Sequence, residues 1–472
     1  MNYQEYDRPK VHFTPKKNWM NDPNGLVYFE GEYHLFFQYN PSSNNHDNMN
    51  WGHAVSKDLY HWEELDTAIK PDELGTIFSG SAVVDKNNTS GLFESGSGGI
   101  VAIFTHDGAS QQQSIAYSED NGRTFIKYDG NPVIPNTEIV DFRDPKVFWH
   151  EDSEKWVMSL ACGDHIQFFN SPNLIDWTYL SSFGKEYRSH IGVWECPDLL
   201  YLPVEGSHEK KWVLIISIND DGPNGGSAMY YFTGSFDGQS FQPDQSPEDD
   251  LKWVDEGKDF YAAVSWDNTD EKYWIGWMNN WQYAESVPVS PWRSAMSLVR
   301  RISIIEKDGS FLLKQTPVTN DNGKLEKEED IHVTPESKAV YNIESPSELN
   351  IQVQKDVSDV WGVDFITDKE ELLRLEVDPV NDQYILHRDT GRTGFSNDFP
   401  EKIKGSLNGF DGSQVTAVAD TSSVELFFDN GVTVSTNLFY PEGVISRFEI
   451  WSKAEKLQVE ALSFRTLHSI WN

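Results

Sequence analysis

Five times in its first two thirds this chain writes the same short sequence of events: a polar or acidic start, an apolar strand, a turn, and a returning aromatic strand. The first copy runs from Asp22-Pro23-Asn24-Gly25 through Leu26-Val27-Tyr28-Phe29, turns at Glu30-Gly31-Glu32, and returns along Tyr33-His34-Leu35-Phe36-Phe37-Gln38. Later copies start at Ser79-Gly80-Ser81, Asp144-Pro145, Pro197-Asp198 and Tyr261-Ala262-Ala263. They return along Ile100-Val101-Ala102-Ile103-Phe104, Trp156-Val157-Met158, Trp212-Val213-Leu214 and Tyr273-Trp274-Ile275. A second motif follows each of the first four hairpins, opening at Ser56, Ser118, Ser171 and Ser235, which lie 62, 53 and 64 residues apart.

A strand meander repeated at such a period is the signature of a radial all-β array, and five units predict a five-bladed β-propeller. In that architecture the first strand of each blade lines the central channel. The starts of the first, third and fourth units carry Asp22, Asp144 and Glu195, so the repeat itself predicts that three acids converge at one mouth of the channel. Taken singly, Asp-Pro and Asn-Gly are ordinary turn formers.

After the fifth hairpin the chain continues into another strand at Trp292-Arg293-Ser294-Ala295-Met296, and the repeat is expected to stop near Arg301-Ile302-Ser303-Ile304. A polar, acidic stretch follows, from Thr319 to Asp330. A chain of 472 residues exceeds one ordinary core. The expected division is 1–320 for the propeller and 321–472 for a second domain. Alternating strands such as Glu371-Leu372-Leu373-Arg374-Leu375-Glu376-Val377, with no helix-length apolar period, predict a C-terminal β-sandwich there. No acid cluster marks the second domain. Its expected role is to cover propeller surface, and a homodimer formed through it stays open.

Charge narrows the partners. At a net −37 the chain is a poor fit for nucleic acid, whose phosphates need Lys and Arg, and for an anionic membrane surface. A neutral substrate fits best, and 17 Trp, 19 Tyr and 27 Phe supply flat rings that stack on sugar C–H faces as well as packing strands. No CxxC or HExxH spacing points to a metal, and no cofactor is expected. The first residues show no basic region followed by an apolar run, which leaves either a cytoplasmic protein or a secreted one whose signal is not in this sequence. Cys162 and Cys196 do not decide the compartment.

Two carboxyl groups across a scissile bond can hydrolyse a glycoside, one ionised and one protonated. Asn21 and Asn24 flank Asp22 and can hold an ionised carboxylate. Glu195 lies among Trp194, Cys196 and Pro197, apolar neighbours that suit a protonated acid. Arg143 precedes Asp144, and an ion pair between them would keep Asp144 ionised.

The stretches Trp19-Met20-Asn21-Asp22-Pro23-Asn24-Gly25, Gln38-Tyr39-Asn40-Pro41, Trp51-Gly52-His53-Ala54, Phe78-Ser79-Gly80-Ser81, Phe142-Arg143-Asp144-Pro145 and Trp194-Glu195-Cys196-Pro197-Asp198 together resemble glycoside hydrolase family 32, the family of invertases, levanases and exo-inulinases. The resemblance extends over nearly the whole chain. It implies a propeller followed by a sandwich and an exo-acting, retaining β-fructofuranosidase acting on sucrose or on inulin- or levan-type fructans. It further implies Asp22 as nucleophile, Glu195 as acid and base, and Asp144 as the group that holds fructose hydroxyls. Asn21, Gln38, Phe78, Ser79, Arg143 and Trp281 match substrate-contacting positions. One departure stands out: His46-Asp47 replaces a Trp-Gly pair that often walls the sugar pocket. A fructosyltransferase remains an alternative, because water and a sugar hydroxyl compete for the same intermediate. Less favoured are an inverting arabinanase or xylosidase and a non-catalytic sugar-binding propeller.

Overall fold

The computed structural model describes residues 3–471 other than 95, 97, 188–191, 320–322 and 390. The expected domain boundary at residue 320 lies outside the described residues. On the N-terminal side the described strands form five antiparallel sheets. Their first strands are Asn18–Phe29, Thr76–Asp85, Phe142–His150, Trp194–Pro203 and Tyr261–Ser265. Each of these strands touches the next in that order, and the fifth touches the first, so the five sheets close into a ring of blades. The seam between the fifth and first blades is a parallel bridge, with Tyr28 N–H donating to Asp267 O at 3.0 Å and Asp267 N–H to Leu26 O at 2.9 Å.

The strands read as unbroken apolar runs because each blade is covered by a neighbour on both faces. Gly99–Asp107 and Lys155–Cys162 are buried almost end to end. The recurring serine motif is the turn between the third and fourth strands of a blade. Ser56 Oγ donates to Asp58 Oδ1 at 3.1 Å, and the same oxygen accepts the Tyr60 and His61 N–H groups. Ser118 with Asp120 and Ser171 with Asn173 repeat the arrangement. Such a side-chain turn satisfies backbone donors where the ladder ends.

The fifth blade departs from the expected ending. Trp292–Arg293 leaves it to pair in parallel with Asn18 and Trp19 of the first blade. The fifth blade takes its third and fourth strands from Arg300–Lys307 and Ser310–Pro317, so the repeat runs past the expected stop near Arg301. In its position beside the first blade the Trp292 ring is buried, with the Arg8 guanidinium 3.7 Å above its centre.

On the C-terminal side two six-stranded antiparallel sheets face each other across one apolar core. Here the strands do alternate, as in Leu372–Asp378, because one face meets the core and the other meets water. The sandwich is tied to the propeller by buried ions. Arg300 pairs with Glu425 at 2.5 Å and with Asp255 at 3.2 Å; His12 lies between Asp420 at 2.8 Å and Glu425 at 2.9 Å; Arg388 pairs with Asp259 at 2.9 Å.

Candidate active site

Every inner strand carries the same irregularity near its start. In the first, Met20 faces Tyr39 and Pro23 faces Phe37, so three steps on one strand match two on its partner. The same one-residue excess separates Ile77 from Gly80, Arg143 from Lys146, Glu195 from Asp198, and Tyr261 from Val264. A bulge of this kind breaks the in-and-out alternation and re-aims side chains. Asp144, Cys196 and Ala262 take positive φ values of 64°, 45° and 53° to make it. Pro145 and Pro197 occupy bulge positions, where the ladder needs no N–H. The outcome is that adjacent residues, Asn21 with Asp22, Phe78 with Ser79 and Arg143 with Asp144, all line one cavity at the channel mouth.

That cavity measures about 330 Å³. Its walls include all nine residues singled out from the sequence: Asp22, Asp144, Glu195, Asn21, Gln38, Phe78, Ser79, Arg143 and Trp281. His46, Asp107, Gln111 and Asp141 complete them. His46 still presents an aromatic ring to the pocket, edge-on to Trp281 at 5.2 Å and to Trp19 at 5.9 Å. Trp281 in turn packs on Trp277 at 4.7 Å. Gln38 is buried, and its Nε2 has no hydrogen-bond partner among the described residues, so the pocket contains a donor ready for an oxygen-rich ligand.

Asp22 is 9 % exposed and firmly held. Ser79 Oγ donates to its Oδ2 at 2.6 Å and Asn21 Nδ2 to its Oδ1 at 3.1 Å, while Asn21 is itself fixed by Trp19 Nε1 at 2.7 Å. Asn24, expected to help hold this carboxylate, instead bonds the Asp22 carbonyl at 2.9 Å and accepts the Gly80 N–H at 3.1 Å, because the bulge turns its side chain along the backbone. Burial, followed by the Glu195 charge, pushes Asp22 above the usual carboxylate range against the pull of Ser79 and Asn21.

The expected pairing of Arg143 with Asp144 is corrected by the structure. Arg143 donates twice to Glu195 Oε1, from Nη2 at 2.9 Å and Nε at 3.2 Å, and pairs with Asp141 at 2.5 Å. Asp144 is anchored through backbone groups instead. Its Oδ2 accepts the Cys196 N–H at 3.0 Å, and its own N–H donates to Thr105 Oγ1 at 3.1 Å. Burial pushes Asp144 up, the Arg143 charge opposes, and the Glu195 and Asp22 charges add to the rise. Glu195 does not sit in an apolar nest either. Its Oε2 accepts a short hydrogen bond from the Tyr261 hydroxyl. Sequence neighbours mislead here because the bulges send consecutive side chains to places that strand alternation does not anticipate.

Cys196 joins the acids at their centre, its Sγ 3.6 Å from Asp22 Oδ2 and 3.5 Å from Asp144 Oδ2. Burial and the two carboxylates push its thiol well up, so it stands there as a neutral, compact filler. Cys196, Tyr261, Asp107, Gln111 and Asp141 were not singled out from the sequence. Cys196, inside Trp194-Glu195-Cys196-Pro197-Asp198, Tyr261, at the start of the fifth repeat, and Asp141, directly before Phe142-Arg143-Asp144, are the ones that position in a motif could have flagged. Among the described residues no group of His, Cys, Asp and Glu is arranged to hold a metal ion.

Known proteins share this chain's sequence and fold. The family model described as glycosyl hydrolases family 32 N-terminal domain matches residues 12–317, and its C-terminal counterpart matches 313–466. A levanase of Bacillus subtilis (strain 168) is 44% identical over 99% of this chain and 72% of its own length. An extracellular exo-inulinase of Aspergillus niger is 36% identical over 100% of this chain and 96% of its own. The crystal structure of the exo-inulinase from Aspergillus awamori superposes with a TM-score of 0.92 at 34% identity, covering 100% of both chains. A β-fructofuranosidase from Schwanniomyces occidentalis complexed with fructosyl-erythritol gives the same score and identity over 99% of both.

Proposed function

Because this chain belongs to glycoside hydrolase family 32, we propose that it is an exo-acting β-fructofuranosidase that releases terminal fructose with retention, through a covalent intermediate on Asp22. The observation that carries this reading is the meeting of Asp22, Asp144 and Glu195 in one small pocket, each held by a different partner. Asp22 attacks the anomeric carbon of fructose as the bond to the leaving oxygen breaks, and Glu195 gives that oxygen its proton. Water then attacks the fructosyl ester, Glu195 takes the proton of the water, and the Asp22 carboxylate is released. Arg143 occupies Oε1 of Glu195 with two N–H groups, which leaves Oε2, beside Tyr261, as the oxygen that carries the transferable proton. Asp144, with one oxygen on the Cys196 N–H, offers the other to fructose hydroxyls. Asn21, Gln38, Ser79 and Arg143 supply further polar contacts, and Phe78 and Trp281 the apolar wall. In this reading residues 1–320 form the catalytic domain and 321–472 the supporting sandwich. The retaining spacing of about 5–5.5 Å is expected between the Asp22 and Glu195 carboxyls.

The substrate is a fructoside of neutral charge, sucrose or a fructan. The test is release of free fructose from sucrose, inulin and levan, each against an Asp22→Ala control. Fructose from all three, absent in the control, is the expected result; no fructose from any substrate would sink the reading. Product analysis at high sucrose separates hydrolysis from fructosyl transfer. Placement outside the cell follows the extracellular exo-inulinases among the relatives. Dimer formation through the sandwich, whose edge strands include Ala339–Asn342 and Lys402–Ser406, is checked by sedimentation.

A further inference from the structure

The acids occupy the starts of the inner strands. The opposite ends of four of these strands, all but Asn18–Phe29, line a second and larger cavity of about 650 Å³ at the far mouth of the channel. Its floor is a buried knot of Lys146, Asp198 and Ser265. Lys146 Nζ donates to Ser265 O at 2.5 Å and Ser265 Oγ at 3.1 Å, and meets Asp198 Oδ2 at 3.3 Å. Lys146 is thus hydrogen-bonded to Ser265 and ion-paired with Asp198. Asp198 Oδ2 also accepts the Ser265 N–H at 2.8 Å. Asp198 lines this cavity, and its other oxygen, Oδ1, is buried with no hydrogen-bond partner among the described residues. At the rim, Tyr201 and Trp212 stack 4.8 Å apart at 23°, and Tyr201 is 45% exposed. Lys210 stands 5.5 Å from the Tyr201 ring centre.

We propose that this far mouth is a second binding site, for a neutral oligosaccharide. A buried carboxylate oxygen without a partner calls for a hydroxyl hydrogen and repels an anion, and the charge of the floor lysine is already paired with Asp198. A partly exposed pair of stacked rings at the rim supplies a flat platform for sugar C–H faces, and Lys210 beside it donates to a hydroxyl. The hollow has the volume of a small-molecule site, and its lining sets the rings of Phe148, Trp149, Trp156 and Trp266 among charged side chains of both signs, acids and lysines. The sugar held there is a further stretch of the fructan that the acid pocket would trim, and that identity rests on the fructosidase reading.

The test is calorimetric titration of nystose, a neutral fructan tetrasaccharide, into the uncleaving Asp22→Asn variant. Two binding events per chain are expected. Tyr201→Ala should weaken one of them at least tenfold and leave the other, and Trp281→Ala should do the reverse. Trp212→Ala is a second probe of the far mouth; if it does not fold, the exposed Tyr201 position carries the test alone. One event, lost in Trp281→Ala and unmoved by Tyr201→Ala, overturns the inference. One event lost only in Tyr201→Ala keeps it while undoing the assignment of the acid pocket. Displacement of nystose from the far mouth by inorganic phosphate would overturn the neutral-ligand assignment.

Discussion

At the scale of single residues, the three acids differ by who holds them. Asp22 is buried, which favours its protonated form, and Ser79 works against that burial with a 2.6 Å hydrogen bond. A nucleophile must be ionised, so activity falls on the acid side as Asp22 takes up a proton. Ser79→Ala removes the hydrogen bond that favours the charged form. The acid limb of the kcat/KM profile should therefore move to higher pH. Losing a hydrogen bond to a charged group, about 1.5–3 kcal/mol, corresponds to a decline in kcat/KM of roughly tenfold to a hundredfold. The measurement is kcat/KM for sucrose against pH in both proteins; an unmoved acid limb would show that Ser79 does not tune Asp22. Glu195 is placed by Arg143 and Tyr261, and the Asp144 carboxylate by the Cys196 N–H, so a common chemistry of three carboxyls is divided by local partners.

At the scale of the element, the unit that builds the site is the bulge at the start of each inner strand. A regular strand would send only alternate residues inward, and Arg143 and Asp144 could not share a cavity. The bulge in the third blade leaves the Asp144 N–H without a ladder partner, and Thr105 of the second blade takes it at 3.1 Å. Thr105 also donates to Gln113 at 2.7 Å, and Gln113 reaches back to the Phe142 carbonyl at 2.8 Å. Thr105→Val keeps the shape and removes the acceptor. The expected cost is about 1–3 kcal/mol for a buried donor left unsatisfied, read as a lower urea midpoint. Fructose release should fall with it, because the bulge positions Asp144. A loss of stability with unchanged kcat would separate the bulge from the chemistry.

At the scale of the whole molecule, propeller and sandwich are joined by buried charge, and this gives the junction a pH dependence. Burial alone would lower His12, but Asp420 and Glu425 outweigh it and raise it to about 9. Glu425 is opposed by burial yet held down to about 2 by Arg300 and His12. A raised histidine contributes stability that is complete below its unfolded value of about 6.5 and is lost as pH rises through about 9. A lowered glutamate contributes stability that is complete above its unfolded value and is lost as pH falls through about 2. The junction is thus firmest between these limbs and loosens from near neutrality upward. Thermal midpoints measured across this range should decline on the alkaline side. His12→Gln should flatten that decline, and leaving Asp420 buried without its ion-pair partner should cost about 3–5 kcal/mol. An unchanged alkaline slope in His12→Gln would remove His12 from the account.

Much of this was legible without coordinates. The repeat of Asp22-Pro23, Asp144-Pro145 and Glu195-Cys196-Pro197 at matching points of a meander already implies a ring with acids at one mouth, because a period of strand and turn is a local property that the chain writes out in order. The sandwich was legible for the same reason, from alternation at Leu372–Asp378. What only the tertiary structure decided is pairing across blades. Arg143 bonds Glu195 rather than its neighbour Asp144, Tyr261 caps Glu195 from the fifth blade, Trp292–Arg293 crosses to the first blade, and Asp198 beside the far cavity is left with one buried oxygen unpartnered among the described residues. These contacts join residues far apart in sequence, and their partners are set by where bulges turn the side chains and by how five sheets close on one another, which no window of sequence contains.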